Sequence, residues 1–227
     1  MALQNRVDPF GELIATPARG LLLGNRGGRF HRDDQTLGAR RWASRQWICC
    51  VLSFKQRHRK VWGHGYTELF FLDEVTALAA GHRPCFECRR ADAKVFATKW
   101  AEGKKSDIPY APEMDLVLQN ERLDGRVKRT HAMPIDDLPD GTVLDVDGNA
   151  FAIRDSHLLH WSERGYVGMV ARPTGIEARI LTPPSIVGVL RAGYRPQWHP
   201  SADLHLALSP FSDKPPDGTS DRTPVLK

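Results

Sequence analysis

At 227 residues and 25.5 kDa, with 41% apolar and 26% charged residues, the chain has globular composition and length for one large or two small domains. No stretch approaches the roughly 18 consecutive apolar residues of a membrane span, and Met1 to Pro9 holds no apolar core of the signal-peptide kind. A disulfide miniprotein and a wholly disordered chain are thereby excluded, and the expectation is a cytoplasmic protein with no membrane partner and with reduced thiols. A cluster among its four cysteines then points to a metal or to reactivity rather than to cross-linking.

Charge is uneven. Residues 1–100 hold 17 Lys and Arg against 9 Asp and Glu, whereas residues 101–227 hold 15 against 18. Arginine dominates the basic half, and its planar fork suits phosphate oxygens. A polyanionic partner is expected on this ground, against the alternative of a solvated basic face.

Residues 20–40, rich in Gly and charge, read as loop and turn between short extended pieces. Gly24-Asn25-Arg26-Gly27-Gly28 lacks the Lys-Ser/Thr ending of a phosphate-binding loop. Trp47 to Phe54 predicts a buried strand, followed by basic Lys55 to Lys60 and a turn at Gly63-His64-Gly65. Tyr66 to Leu72 predicts a second strand, and Asp73 caps a helix through Ala80 that stops at Gly81. After Pro84, Cys85-Phe86-Glu87-Cys88 forms a knuckle, and a helix from Arg89 to Glu102 ends at Gly103. A further helix runs from Pro112 to about Leu123. Beyond Leu138, the turn signals Pro139-Asp140-Gly141 and Asp147-Gly148 predict a hairpin of residues 142–146 and 150–153. Strands follow at His157–Trp161, Val167–Ala171 and Ala178–Leu181, then a helix over Pro184–Ala192 and a disordered tail after about Ser209. No internal repeat is seen.

Two thiolates at Cys85-x-x-Cys88 spacing can face one ion, but they supply half of a tetrahedral site. A redox pair is disfavoured because Pro84 precedes the first cysteine and no thioredoxin-like strand and helix lead into it. Leu69-Phe70-Phe71 followed by Glu74-Val75-Thr76-Ala77-Leu78-Ala79-Ala80-Gly81-His82-Arg83-Pro84-Cys85-Phe86-Glu87-Cys88-Arg89 resembles the second half of the zinc domain of the Ada methylphosphotriester repair family. The likeness is specific over about twenty residues and covers less than a third of the chain. The methyl-acceptor motif Pro-Cys-His-Arg of that family is absent, and nothing after about residue 100 resembles the rest of the family.

The resemblance implies zinc as cofactor and two upstream cysteine ligands, yet the corresponding places hold His58 and Phe54. Imidazole is a good zinc ligand, and the nearest upstream thiols are Cys49 and Cys50, so the implied set is Cys50, His58, Cys85 and Cys88. Cys49 and His64 remain the competitors, and His82, at a position where the family carries an aromatic residue, is assigned to packing or to a hydrogen bond behind the ligands. In that family a zinc-bound thiolate accepts a methyl group. Replacing a thiolate by neutral His58 raises the cluster charge from −2 to −1 and weakens that drive. Cys50 also shares a strand face with Ile48, Leu52 and Phe54, an apolar row expected to face the core.

The expected function is therefore a zinc-binding protein whose Ada-like knuckle organises a basic, nucleic-acid-binding surface, with Arg83, Arg89 and Arg90 on the phosphates. One alternative is a zinc-thiolate methyl acceptor in DNA repair. Another is a metal-dependent phosphodiester hydrolase built from His131, His157, His160 and His199 with Asp136, Asp137, Asp140 and Asp155. The expected fold is α+β: an Ada-like zinc unit over 1–105, a helical connection over 106–129, a mainly antiparallel β module over 130–208 and a tail over 209–227.

Overall fold

The structure, a computed structural model, describes residues 2–56 and 60–207. The tail expected after Ser209 lies outside the described residues. The chain begins with β1 (Gln4–Val7), β2 (Leu13–Ala15), β3 (Leu22–Arg26), β4 (Trp47–Val51) and β5 (Leu69–Phe71). Then come α1 (Glu74–Ala79), β6 (Arg83–Pro84), α2 (Arg90–Lys104), α3 (Ala111–Arg122) and a small hairpin of β7 (Leu123–Asp124) and β8 (Val127–Lys128). The remainder holds β9 (His131–Pro134), β10 (Val143–Val146), β11 (Asn149–Arg154), β12 (His157–Ser162), β13 (Gly165–Ala171), β14 (Glu177–Ile180), α4 (Pro184–Arg191) and α5 (Ser201–Ala207). Among the described residues, no helix is long and apolar enough to cross a membrane.

The fold mixes α and β elements, with sheets that are mostly antiparallel. The first sheet has the order β2-β1-β5-β3-β4-β6 and contains two parallel pairs, β1 with β5 and β4 with β6. The second, β13-β12-β11-β10-β14-β9, is antiparallel throughout. The hairpin expected around Asp147-Gly148 is β10–β11, with Val146 paired to Asn149.

Two glycine readings are corrected. The segment expected to be loop and turn contains β3, an interior strand of the first sheet. Gly24 is there for closeness, since a Cβ would lie 2.3 Å from the Ile48 carbonyl oxygen and 2.6 Å from the Phe71 ring. Gly103 does not stop α2, which runs on to Lys104 and caps at left-handed Lys105. It lets α2 approach α4, because a Cβ at Gly103 would sit 2.9 Å from the Gly188 carbonyl oxygen.

Helix α1 occupies the middle of the molecule. Asp73 caps it as expected, its Oδ1 accepting from the Thr76 N–H at 2.8 Å, and all six helical residues are buried. Ala77 and Ala80 pack on the first sheet with Leu22, Leu69 and Phe71, while Val75 and Ala79 pack on the second with Val143, Ala152 and Leu159. Leu78 joins Phe96, Trp100, Met114, Leu118 and Ile186 between α2, α3 and α4. With Glu74 and Thr76 held in hydrogen bonds and the other four residues apolar, the helix can be buried on every side, and its small side chains let both sheets close on it.

Arg83, on β6, is fully buried and clamps this region to α3 through two parallel bonds to Asp115, Nε to Oδ1 at 2.9 Å and Nη2 to Oδ2 at 2.7 Å. Removing one partner of a buried ion pair strands the other charge. Asp115→Ala is accordingly expected to lower stability by about 3–5 kcal/mol, read as a lower denaturant midpoint with little change of slope.

Candidate metal centre

The parallel pairing of β4 with β6 sets Ile48 opposite Arg83 and Cys49 opposite Pro84. The Cys85 N–H then donates to the Cys49 carbonyl at 3.0 Å, and the Arg89 N–H closes the knuckle on the Cys85 carbonyl at 3.0 Å. Cys50, one residue further along β4, is thereby brought to the knuckle. The sulfurs of Cys50, Cys85 and Cys88 all lie within 4.8 Å of one another. A tetrahedral ion with bonds of about 2.3 Å would hold its sulfurs roughly 3.8 Å apart, a separation that three thiols gathered this closely can meet.

The electrostatics of the three thiols already favour a cation. Cys85 accepts S–H bonds from Cys50 and Cys88, together with backbone N–H groups of Cys88 and Glu87, and its pKa falls to about 2. Cys50, which donates to both neighbours and is also buried, is driven far up. Cys88 is lowered by the bond it receives from Cys50, but its own donation to Cys85 and its burial leave it raised. Three sulfurs this close hold one thiolate comfortably, and a divalent ion is what allows all three to ionise.

Cys49 takes no part. It is fully buried on the opposite face of β4, and its sulfur accepts from Arg89 Nη1 at 3.2 Å. Burial pushes its thiol up. His58 lies outside the described residues. His64 is exposed and outside the cluster. His82 packs between Trp47 and Phe71, ring centroids 5.0 and 4.6 Å away, and accepts from Arg26 Nε at 3.3 Å, in keeping with a packing role.

Three expectations require correction. The row Ile48, Cys50, Leu52 and Phe54 does not face the core but lines a cavity of about 430 Å³, with Leu52 54% exposed. The core takes the Cys49 face because α1 packs on that side of the sheet. Arg83 and Arg89 are not surface phosphate ligands, since both are buried. Arg83 is spent on Asp115, and Arg89 on Glu74 at 2.9 Å and Asp92 at 2.8 Å. Arg90 alone of the three is exposed.

The hydrolase candidates do not assemble. Among the described residues, the cysteine cluster is the one group of three or more potential metal ligands. His131 bonds the Glu121 carbonyl, His160 stacks on Phe151 and His199 bonds Ser201. What residue-by-residue reading missed is the cavity itself, lined also by Leu23, Asn25, Glu68 and Phe70 from β3 and the β5 edge. Period-two alternation in β3 and β5 carried that signal, but the Gly-rich reading of residues 20–40 hid it.

The sequence matches no protein-family model, and no curated protein or solved structure gives a match to it. The geometry of the cluster yields its own test. With Cys50 and Cys88 protonated beforehand, binding a divalent ion at neutral pH should release about two protons per ion, measurable by calorimetry in buffers of different ionisation enthalpy. Cys50→Ala, Cys85→Ala and Cys88→Ala should each lose the ion, whereas Cys49→Ala should retain it.

Proposed function

We propose that the protein is a zinc-binding protein with an Ada-like knuckle, whose metal joins β4 to the start of α2 beside a nucleic-acid-binding surface. The observation that carries the zinc reading is the convergence of Cys50, Cys85 and Cys88. Three thiolates suit zinc, copper(I) or an iron–sulfur cluster. The resemblance around Arg83-Pro84-Cys85-x-x-Cys88 favours zinc with His58 as the fourth ligand. Bound zinc would neutralise the thiolates and fix their separation. The chain's own contribution is the pair of backbone donors on Cys85 and the β4–β6 pairing that aims Cys50.

With Arg83 and Arg89 buried, the phosphate-facing cations in this reading are Lys55, Lys60 and Arg90, all exposed. Lys55 lies over Phe54, 5.1 Å from its ring, and Lys60 precedes Val61 in the chain; Phe54 and Val61 line the cavity that the cysteines share.

A second reading is favoured by the exposure of the Cys50 face to this cavity. Attack of the Cys50 thiolate on the methyl carbon of a phosphotriester would form a C–S bond as the C–O bond breaks, with the phosphodiester anion leaving. A thiol packed against α1 could not do this, but one that lines a cavity meets the first requirement.

Protein purified without added metal should contain about one zinc per chain by elemental analysis, and a folded zinc-free protein would refute the proposal. Nucleic-acid affinity should fall between about 50 and 200 mM salt, and Lys55→Ala, Lys60→Ala and Arg90→Ala should each flatten the log-log slope by about one unit. After incubation with methylphosphotriester DNA, a single added methyl mass on Cys50 supports the acceptor reading. An unmodified protein that keeps its zinc supports the structural knuckle.

A further inference from the structure

The face of the first sheet that turns away from α1 presents six side chains in two rows. The registers set Asn25 opposite Ile48, and Leu23 opposite both Cys50 and Phe70. The next step of the β3–β5 register carries Asn25 to Glu68. Ile48, Asn25 and Glu68 thus lie abreast, with Cys50, Leu23 and Phe70 abreast one pleat further along. All six line the 430 Å³ cavity, and Phe54, Val61 and Tyr66 from the following chain complete its walls.

Two polar groups in this lining are buried without being used up. Glu68 is 3% exposed and forms no ion pair among the described residues; its Oε2 accepts from the Trp62 N–H at 2.8 Å, and among those residues Oε1 is left over. Asn25 is 7% exposed, and its Oδ1 accepts from the Gly27 N–H at 2.9 Å, leaving the amide NH2 without a partner among the described residues. A backbone bond therefore fixes each side chain, and the spare group of each adjoins a cavity with walls of Leu23, Ile48 and Phe70. A buried carboxylate beside apolar walls calls for donors, and a carboxamide NH2 beside it calls for an acceptor.

We propose that this cavity binds a guanine-type base. The heterocycle would offer two adjacent N–H donors to the Glu68 carboxylate and a carbonyl oxygen to the Asn25 amide, with its ring against Leu23, Ile48 and Phe70. The size agrees. Two strand spacings separate β5 from β4, about 10 Å, so a base held at Glu68 spans the cavity towards the cysteines. The inference names what the site beside the zinc takes and so deepens the proposed function, but it stands on residues that hold no metal.

Calorimetric titration of the protein as purified, with zinc content assayed on the same sample, tests it. Guanosine should bind one to one, inosine, which lacks one donor, at least tenfold more weakly, and adenosine more weakly still. Glu68→Gln keeps the acceptor for Trp62 and should abolish the preference for guanosine over inosine. Ile48→Trp should fill the cavity and abolish guanosine binding with zinc retained. A ten-nucleotide single strand carrying one guanine separates the sources of the base: binding tenfold tighter than guanosine assigns it to a nucleic acid, and binding no tighter assigns it to a free nucleoside. Equal affinity for the three nucleosides, no binding of guanosine at millimolar concentration, or unchanged binding in either folded variant would overturn the proposal. Loss of zinc with the nucleoside preference intact would sink the zinc reading alone.

Discussion

Everything in this structure is arranged around a six-residue helix that has no solvent face. Because α1 touches both sheets and the helical layer, neither sheet can shift without opening a buried contact. Its N-terminus is equally constrained. Asp73 and Glu74 are buried acids at the positive end of the helix. Asp73 accepts from Thr76, the Tyr166 hydroxyl and the His199 N–H, and Glu74 accepts from the Tyr194 hydroxyl, the Gln197 N–H and Arg89. One short turn of helix thereby fixes the chain at residues 194–199, a strand of the second sheet and the start of α2.

The metal centre inherits its geometry from that helix. At the far end of α1 the Gly81 N–H bonds the Leu78 carbonyl and the His82 N–H that of Ala77, after which His82 enters the aromatic packing of Trp47 and Phe71. Arg83 and Pro84 then have a single place to pair, alongside Ile48 and Cys49. Trp47, the first residue of β4, is held by the guanidinium groups of Arg26 and Arg122, each 3.9 Å from its ring. With β4 pinned there and Arg83 clamped to Asp115, the pleat sends Cys50 to the knuckle and Cys49 to the core.

The basic excess of the first hundred residues has a different meaning in three dimensions. Arg26, Arg83 and Arg89 are interior struts whose N–H groups go to carbonyls, carboxylates, a sulfur and a ring nitrogen. Burial lowers the pKa of Arg26, and likewise of Arg122, to about 9. Charge counted along the chain therefore overstates the charge available to a polyanion, although Arg19, Arg32, Arg40, Arg45 and Lys94 stay exposed along with Lys55, Lys60 and Arg90.

Local grammar alone determined a good part of this protein. The capped helix from Asp73, the Cys85–Cys88 knuckle, the hairpin around Asp147-Gly148 and the helices near residues 90, 112 and 184 each carry their signal in a few neighbouring residues, through caps, turns and apolar spacing. The tertiary structure decided the rest. Alternation says that Cys49 and Cys50 point to opposite faces, but only the side on which α1 packs says which of them meets the core. A strand such as β3 can look like a loop, because its glycine answers to Phe71 and Ile48, far away in sequence. Glu68 and Asn25, 43 residues apart, become neighbours solely through strand register. Short-range signals are written where they act, whereas burial, register and the pairing of charges depend on which surfaces finally come together.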